Sequence, residues 1–318
     1  MRSPLFLRVS VTDRCSMRCL YCAPANGFAQ AAREDVLSFQ EIVRIVCAIQ
    51  SRYGLAQVRL TGGEPLVRAG VEELVAMLAS AGVPDIALTT NGQRLAEMAG
   101  PLRQAGLNRI NISLDSLNPA TFAAITRGGI LGKTLAGITA ARRAGLDPIK
   151  LNTVVLRGRN DHEVAALVRF AIEHGCQVRF LELMPIGEAA AGFDEGFVAS
   201  AEVRARLARE FALTPLPADP QGTSREYLAG NGCGRPAIVG FISPSSEPFC
   251  AGCRRLRLTA TGVLIGCLAR ADGVPLAPLV RGAELDTEAL RAAVDQALGM
   301  KRRDGEFLQP WTMVGIGG

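Results

Sequence analysis

The sequence predicts an α/β protein: an open, partial TIM-type (β/α)6 barrel followed by a smaller C-terminal domain. Two observations lead to this fold. Apolar strand patterns alternate with helical patterns six times before residue 185, and a glycine follows each helix that precedes a strand. Such alternation indicates parallel βα units, and six units fall short of the eight that close a TIM barrel. The barrel should therefore remain open.

The individual elements follow from local patterns. The first strand is expected at residues 5–11, and Ser38-Phe39-Gln40-Glu41 is a capping box that begins the first helix. Further strands are predicted at 58–61, 86–90, 109–114, 149–156 and 178–183, and the helices between them end at Gly54, Gly82, Gly106, Gly145 and Gly175. Beyond Pro185 the alternation breaks. We therefore divide the chain into a barrel domain, residues 1–185, and a C-terminal domain, residues 186–318, with strands at 255–258 and 263–268.

Composition indicates an ordinary globular protein of 318 residues. It is 48% hydrophobic, carries a net charge of +5 and contains no apolar run near the ~20 residues that span a bilayer. No basic tract suggests nucleic acid binding, and the N-terminus develops no signal-peptide core. We expect a cytoplasmic protein that binds neither membrane nor nucleic acid.

The first cysteine motif follows the first predicted strand. Cys15, Cys19 and Cys22 have C-x3-C-x2-C spacing. Thiolates bind iron–sulfur clusters or zinc, and three of them on a four-iron cluster leave one iron open for chemistry. The alternatives are a disulfide with an odd thiol and a structural zinc site, which would need a fourth ligand.

A second triplet, Cys250, Cys253 and Cys267, has C-x2-C-x13-C spacing. It also leaves a coordination position vacant, and a structural zinc site completed by Cys233 remains an equal alternative from spacing alone. The other two cysteines, Cys47 and Cys176, are expected to be buried small hydrophobic residues.

Polar motifs and basic residues accompany the predicted strands. Four motifs lie at or just after strand ends: Gly62-Gly63-Glu64-Pro65, Thr89-Thr90-Asn91-Gly92, Ser113-Leu114-Asp115 and Glu182-Leu183-Met184. Four basic residues lie within apolar strand patterns: Arg8, Arg59, Lys150 and Arg179. An unpaired charge there would be costly, so these side chains should face an anionic partner. The strand ends are where a barrel of this kind carries its site.

The first cysteine motif, with Tyr21 just before its last cysteine, and Gly-Gly-Glu-Pro resemble the radical S-adenosylmethionine (SAM) enzymes. The second triplet, the basic run 254–257 and the ending Met313-Val314-Gly315-Ile316-Gly317-Gly318 resemble the GTP 3′,8-cyclase family. That family carries out the first step of molybdenum cofactor biosynthesis. The resemblance implies a lyase with two [4Fe-4S] clusters that uses SAM to convert GTP to (8S)-3′,8-cyclo-7,8-dihydroguanosine 5′-triphosphate.

The resemblance also implies residue roles. The first triplet, Cys15, Cys19 and Cys22, would hold the cluster that reductively cleaves SAM, and the second, Cys250, Cys253 and Cys267, would hold the cluster that anchors the guanine of GTP. The SAM site would be lined by Tyr21, Gly63, Ser113 and Met184. Contacts to GTP would come from Arg8, Arg59, Thr90, Lys150, Arg255 and Arg257, with Arg179 as a further basic candidate. Gly317 and Gly318 would return to the active site and assist catalysis.

Partners implied by the resemblance are an external electron donor and, downstream in the pathway, cyclic pyranopterin monophosphate synthase. A homodimer stays open as the oligomeric state. The chain departs from the family pattern at Gln57, where many members have lysine, and at Ser16, where asparagine is common. Two other functions remain open: a peptide-modifying radical SAM enzyme with an auxiliary cluster, and a non-catalytic metal-binding or redox-sensing protein.

Overall fold

A computed structural model describes residues 4–219, 221–230, 236–270, 272–282, 286–301 and 313–317. In this part of the chain, twelve strands form one sheet. The six strands of the barrel are β1 (Leu5–Ser10), β2 (Leu55–Thr61), β3 (Ile86–Thr90), β4 (Arg109–Ser113), β5 (Ile149–Val154) and β6 (Gln177–Leu181). Each is paired in parallel with the next. The predicted six parallel strands and the partial barrel are confirmed, with strand ends shifted by up to three residues.

The barrel helices lie between these strands. They are α1 (Phe39–Tyr53), α2 (Val71–Ser80), α3 (Leu95–Gln104), α4 (Pro119–Thr126), α5 (Leu131–Arg143) and α6 (Val164–His174). The capping box of α1 is present: the Glu41 amide donates to Ser38 Oγ at 3.2 Å, and the Ser38 amide donates to Glu41 Oε2 at 2.6 Å. The glycines expected to end helices all have positive φ, between 60° and 104°. The sequence patterns missed α4, a short helix capped by Asn118.

The C-terminal region extends the barrel sheet at both edges. After a 3-10 turn (Gly187–Ala190) come α7 (Phe193–Gly196), α8 (Ser200–Leu207), β7 (Ala212–Pro215), β8 (Arg225–Gly230), β9 (Ala237–Ile242), β10 (Arg255–Leu258), β11 (Val263–Ile265), β12 (Val274–Pro275), α9 (Ala277–Val280) and α10 (Thr287–Gly299). Strand β9 pairs in parallel with β6, and β10 pairs in parallel with β1. Strand β10, which follows Cys253 of the second triplet, therefore lies beside β1, the strand that precedes the first triplet.

The sheet separates an apolar layer from a polar interior. Leu7, Val58 and Ile86 are in register on neighbouring strands and are buried in the main core with the surrounding helices. Successive side chains of a strand point to opposite faces. The next residues along β1 and β2, Arg8 and Arg59, are also in register and face the barrel interior. These two basic residues of β1 and β2 thus lie on one face of the sheet.

Cys176 is buried, as expected, but the prediction for Cys47 is wrong: it is exposed, because α1 buries the stripe formed by Ile42, Ile45, Val46 and Ile49. Among the described residues, no helix combines the length and the apolar character needed to cross a membrane.

Candidate active site

The first cysteine triplet lies on a loop after β1 that is held by the end of α4. The Arg18 amide donates to Thr126 O at 3.0 Å, and the Leu20 amide donates to Ile125 O at 2.9 Å. The Tyr21 hydroxyl donates to Asp115 Oδ2 at 2.7 Å, just after β4. Backbone and side-chain bonds therefore fix the loop against two other elements of the barrel.

The thiols of this loop lie in surroundings that oppose ionisation without a cation. Burial raises the pKa of Cys15 to about 11 and that of Cys22 to about 12, and it raises the pKa of Cys19 as well. Repulsion between these thiolates adds to the effect on Cys19 and Cys22. A bound iron cluster would supply the missing positive charge, since metal coordination stabilises thiolates.

The donor set of this loop is three thiols. In a four-iron cluster each thiolate binds a different iron, so three thiolates leave one iron open. A structural zinc site needs four ligands, one more than the triplet supplies. The donor set therefore fits a four-iron cluster with one open iron.

The Gly62-Gly63-Glu64-Pro65 motif packs directly against the cysteine loop. The Gly63 amide donates to Thr12 O at 2.7 Å, and the Glu64 amide donates to Arg14 O at 2.8 Å. A Cβ atom on Gly63 would lie only 2.4 Å from Arg14 O, so this approach requires glycine. The motif and the loop consequently form one rigid surface at the C-terminal ends of β1 and β2.

Glu64 is buried at the centre of this surface. Its carboxylate accepts hydrogen bonds from Thr90 Oγ1 at 2.6 Å, the Asn91 amide at 2.7 Å and the Leu66 amide at 3.1 Å. Burial nevertheless raises the pKa of Glu64 to about 7. The hydroxyl of Thr90, a predicted GTP contact, is thus engaged with Glu64 in this structure.

The other predicted SAM-site residues lie at the same end of the barrel. Ser113 ends β4 and Met184 follows β6, and both are half-buried. Between β6 and Met184, the buried Glu182 accepts from the amides of Ser200, Ser245 and Ser246 at 2.8–3.2 Å. Glu182 therefore ties this strand end to the segment that leads to Cys250.

The barrel interior is strongly cationic. Burial lowers the pKa of Arg8, and four nearby arginines lower it further: Arg257, Arg59, Arg255 and Arg179. The same burial lowers the pKa of Arg59 and Arg257 to about 10 and that of Arg179 to about 9. Clustered buried cations of this kind create a site for a polyanion.

Some of these cations also have partners within the protein. Lys150 Nζ lies 3.5 Å from Glu226 Oε1 on β8, and Arg179 Nε donates to Asn152 Oδ1 at 3.0 Å. Burial lowers the pKa of Lys150, and Arg179 adds to this while Glu226 opposes it. Glu226 was missed from the sequence, because no pattern showed that β8 would lie beside the barrel.

A chain of polar contacts surrounds Gln57, the position where the family often has lysine. Arg59 Nη2 donates to Gln57 Oε1 at 2.7 Å, and Gln57 Nε2 donates to Asp85. The other oxygen of Asp85 lies 3.0 Å from Arg109 Nε. Gln57 therefore links Arg59 to an acidic partner without adding a charge to the interior.

The second triplet begins just before β10 and ends just after β11. Burial opposes ionisation of Cys253, but the charges of Lys301 and Arg255 outweigh it and lower the pKa of this thiol. Lys301 Nζ lies 3.7 Å and Arg255 Nη1 lies 3.8 Å from Cys253 Sγ. Lys301 was also missed from the sequence. Cys233, the alternative fourth zinc ligand, lies outside the described residues.

The C-terminal segment returns to the barrel. Val314 and Ile316 are buried, and Thr61 Oγ1 donates to Gly317 O at 2.9 Å. Gly317 has a φ of +82°, and a Cβ atom there would lie 2.9 Å from both Ser10 Cβ and Thr61 Oγ1. The segment thus reaches the C-terminal ends of β1 and β2, beside the Gly-Gly-Glu-Pro motif. Gly318 lies outside the described residues.

Comparisons with known proteins agree with this geometry. Residues 9–171 match the Radical SAM superfamily, and residues 176–307 match Molybdenum Cofactor Synthesis C. The GTP 3′,8-cyclase of Ectopseudomonas mendocina (strain ymp) is 45% identical over 304 residues, covering 95% of this chain and 90% of that protein. The GTP 3′,8-cyclase of Paenarthrobacter nicotinovorans is 40% identical over 315 residues, covering 96% and 86%.

Among solved structures, Streptococcus suis SuiB bound to S-adenosylmethionine has a TM-score of 0.63 at 15% identity, covering 86% of this chain and 64% of that one. This likeness shows a shared fold.

The protein is a radical SAM protein with a C-terminal domain of the molybdenum-cofactor-synthesis type. This follows from its fold, from its cysteine loop and from the two regions that match these family models. The relatives cover nearly the whole chain at 40% identity or more, so the chain belongs to the GTP 3′,8-cyclase family. Membership in the superfamily implies SAM and an iron–sulfur cluster. It sets aside the alternative of a non-catalytic metal protein.

Proposed function

We propose that this protein is a GTP 3′,8-cyclase that forms (8S)-3′,8-cyclo-7,8-dihydroguanosine 5′-triphosphate in molybdenum cofactor biosynthesis. The observation that carries the proposal is the parallel pairing of β10 with β1, which sets Arg257 opposite Arg8. One barrel interior is therefore lined by cations and adjoined by both cysteine triplets. A nucleotide triphosphate that must contact two centres at once fits such an interior.

The two centres are proposed to be [4Fe-4S] clusters. Cys15, Cys19 and Cys22 would hold the first, with SAM bound beside it against Tyr21, Gly63, Ser113 and Met184. Cys250, Cys253 and Cys267 would hold the second. A cluster held there would, when reduced, supply the electron for reductive cleavage of SAM, the chemistry that allows hydrogen to be removed from the ribose. The protein's own contribution is to keep this site dry and fixed in shape.

Binding of GTP is assigned to the cationic interior. The triphosphate would be contacted by Arg8, Arg59, Lys150, Arg255, Arg257 and Arg179, and Thr90 would contact the nucleotide. An anion would offset the cost of burying mutually repelling guanidinium groups, whose forked geometry suits phosphate oxygens. Ring closure within a flexible nucleotide requires the ribose and the base to be held in near-attack geometry. Gly317 and Gly318 would close the site from the C-terminus.

The proposed activity requires other proteins. An external electron donor must reduce the first cluster, and cyclic pyranopterin monophosphate synthase would consume the product. We propose a cytoplasmic location, because the six cysteines of the two triplets could bind clusters as thiolates only in reducing surroundings. A homodimer is the assembly to test for first.

The test is anaerobic reconstitution followed by incubation with SAM, dithionite and GTP. About eight irons per chain are expected for two four-iron clusters. Mass spectrometry of the nucleotide fraction should show the cyclised triphosphate together with 5′-deoxyadenosine. SAM cleavage with GTP recovered unchanged would contradict the proposal, and omission of dithionite is the control.

A further inference from the structure

Lys301 contacts the second cysteine triplet, and none of the roles described above belongs to it. It lies two residues after the end of α10 and is half-buried. Its Nζ atom lies 2.5 Å from Arg255 O, 2.8 Å from Gly266 O and 3.7 Å from Cys253 Sγ. A lysine ammonium has three N–H donors and no acceptor, so these three acceptors match its full donor set.

The three acceptors belong to both parts of the second triplet. Arg255 is two residues after Cys253, and Gly266 immediately precedes Cys267. Because β10 and β11 are antiparallel, both segments lie at the open end of the β10–β11 hairpin, where one ammonium group joins them. Lys301 therefore bridges the segment before β10, which carries Cys253, to the segment after β11, which carries Cys267.

Helix α10 holds Lys301 in this place. A Cβ atom on Gly266 would lie 1.8 Å from Ala297 O, so only glycine allows the last turn of α10 to pack this closely on the hairpin. At the other side, Tyr53 Oη on α1 donates to Arg291 O at 3.2 Å. The position of the ammonium thus depends on the packing of α10 rather than on a flexible side chain at the surface.

We propose that Lys301 is a positioning residue for the second cysteine triplet: it draws the Cys253 and Cys267 segments together and donates a charged hydrogen bond to Cys253 Sγ. The inference rests on the proposed second cluster. Hydrogen bonds to a ligating sulfur and nearby charge set the reduction potential of a cluster. A positive group beside the sulfur stabilises the reduced state, which carries the more negative charge.

The test uses the full chain with the first triplet removed by the combined substitutions Cys15→Ala, Cys19→Ala and Cys22→Ala. Any cluster formed in this background belongs to the second triplet. Lys301→Met, which keeps the length but removes the charge, is compared with Lys301→Arg, which keeps the charge. Lys133→Met, at an exposed position on α5, is the matched control. The readouts are iron content and the midpoint potential from redox titration followed by electron paramagnetic resonance.

Lys301→Met should make the cluster about tenfold harder to reduce, a negative shift of about 59 mV for a one-electron couple. It should also lose iron faster on exposure to a chelator. Lys301→Arg should restore most of the potential, and Lys133→Met should change neither quantity. A general loss of stability would not produce a shift that depends on charge, and thermal unfolding of the cluster-free variants measures stability separately.

Two results would overturn the inference in distinguishable ways. If the cluster forms and Lys301→Met leaves its potential and iron retention unchanged, the role of Lys301 is wrong and the proposed function stands. If no cluster forms in the background with Lys301 intact, the second cluster is wrong and this inference falls with it. Should Lys301→Met fail to fold, Lys301→Arg against Lys301→Gln makes the same comparison of charge.

Discussion

Replacing Gly317 with alanine should release the C-terminal segment from the barrel and slow GTP cyclisation. The new Cβ atom would lie 2.9 Å from Ser10 Cβ and 2.9 Å from Thr61 Oγ1, closer than such atoms normally approach. Both neighbours belong to strands of the barrel sheet, so neither can move away cheaply. The substitution therefore acts on docking of the segment and not on either cysteine triplet.

The size of the effect follows from the backbone and the hydrogen bond. At a φ of +82°, a residue with a Cβ atom costs roughly 1–2 kcal/mol more than glycine. Displacement from Thr61 would also remove the 2.9 Å hydrogen bond to Gly317 O, worth about 1 kcal/mol. A total of about 2–3 kcal/mol corresponds to about 30- to 150-fold weaker docking. Where only the docked state cyclises GTP, the rate should decrease by a factor in this range.

The assay separates docking from assembly of the site. Cyclised nucleotide is measured by mass spectrometry with saturating SAM, alongside iron content and 5′-deoxyadenosine formation. Gly317→Ala should reduce cyclisation while iron content stays unchanged, and deletion of Gly317 and Gly318 should be at least as severe. Gly132→Ala is the matched control, because a Cβ atom at this helical position meets nothing within 4 Å.

Unchanged cyclisation in both Gly317→Ala and the deletion would refute the reasoning. The docked segment would then be a packing feature without a part in catalysis.

Four further predictions concern the proposed site. Alanine at any member of the first triplet, Cys15, Cys19 or Cys22, should abolish 5′-deoxyadenosine formation; wild-type amounts in all three would remove the SAM assignment. Alanine at Cys250, Cys253 or Cys267 should preserve SAM cleavage but stop cyclisation, and normal cyclic product would show that the second triplet is dispensable. Gln57→Lys should lower the KM for GTP by about tenfold and change kcat little, because it adds one charged contact worth about 1.4 kcal/mol. An unchanged KM would contradict a triphosphate near Gln57. Burial raises the pKa of Glu64 from 4.5 to about 7, so the folded cluster-free protein keeps a proton that the unfolded chain loses. Its unfolding free energy should therefore fall as pH rises from 4.5 to 7, and Glu64→Gln should flatten this slope in denaturant titrations; equal slopes would show that Glu64 is ionised.

Local sequence was sufficient for the six strands of the barrel and for its helices other than α4. The capping box at Ser38 and the glycines after the helices act through bonds and backbone angles within a few residues, so their outcome does not depend on distant segments. The alternation of strands and helices then leaves few topologies for six parallel strands. The first cysteine triplet was recognisable for the same reason, because its ligands lie within eight residues.

The sequence was a weaker guide to which face of a single helix or strand is buried. Cys47 lies within an apolar helical stretch, but the structure exposes it, because the buried stripe of α1 is selected by the sheet on which the helix packs. Likewise, the hydroxyl of Thr90 donates to Glu64, a contact that no spacing indicates.

Only the tertiary structure decided how the second triplet meets the barrel. Arg257 lies opposite Arg8 because β10 pairs with β1, although the two residues are near opposite ends of the sequence. The pairing of Lys150 with Glu226 and the contacts of Lys301 arise in the same way, from segments brought together by the sheet and by α10. Strand partners and register between distant segments depend on the packing of the whole sheet, and no local pattern in the chain specifies them.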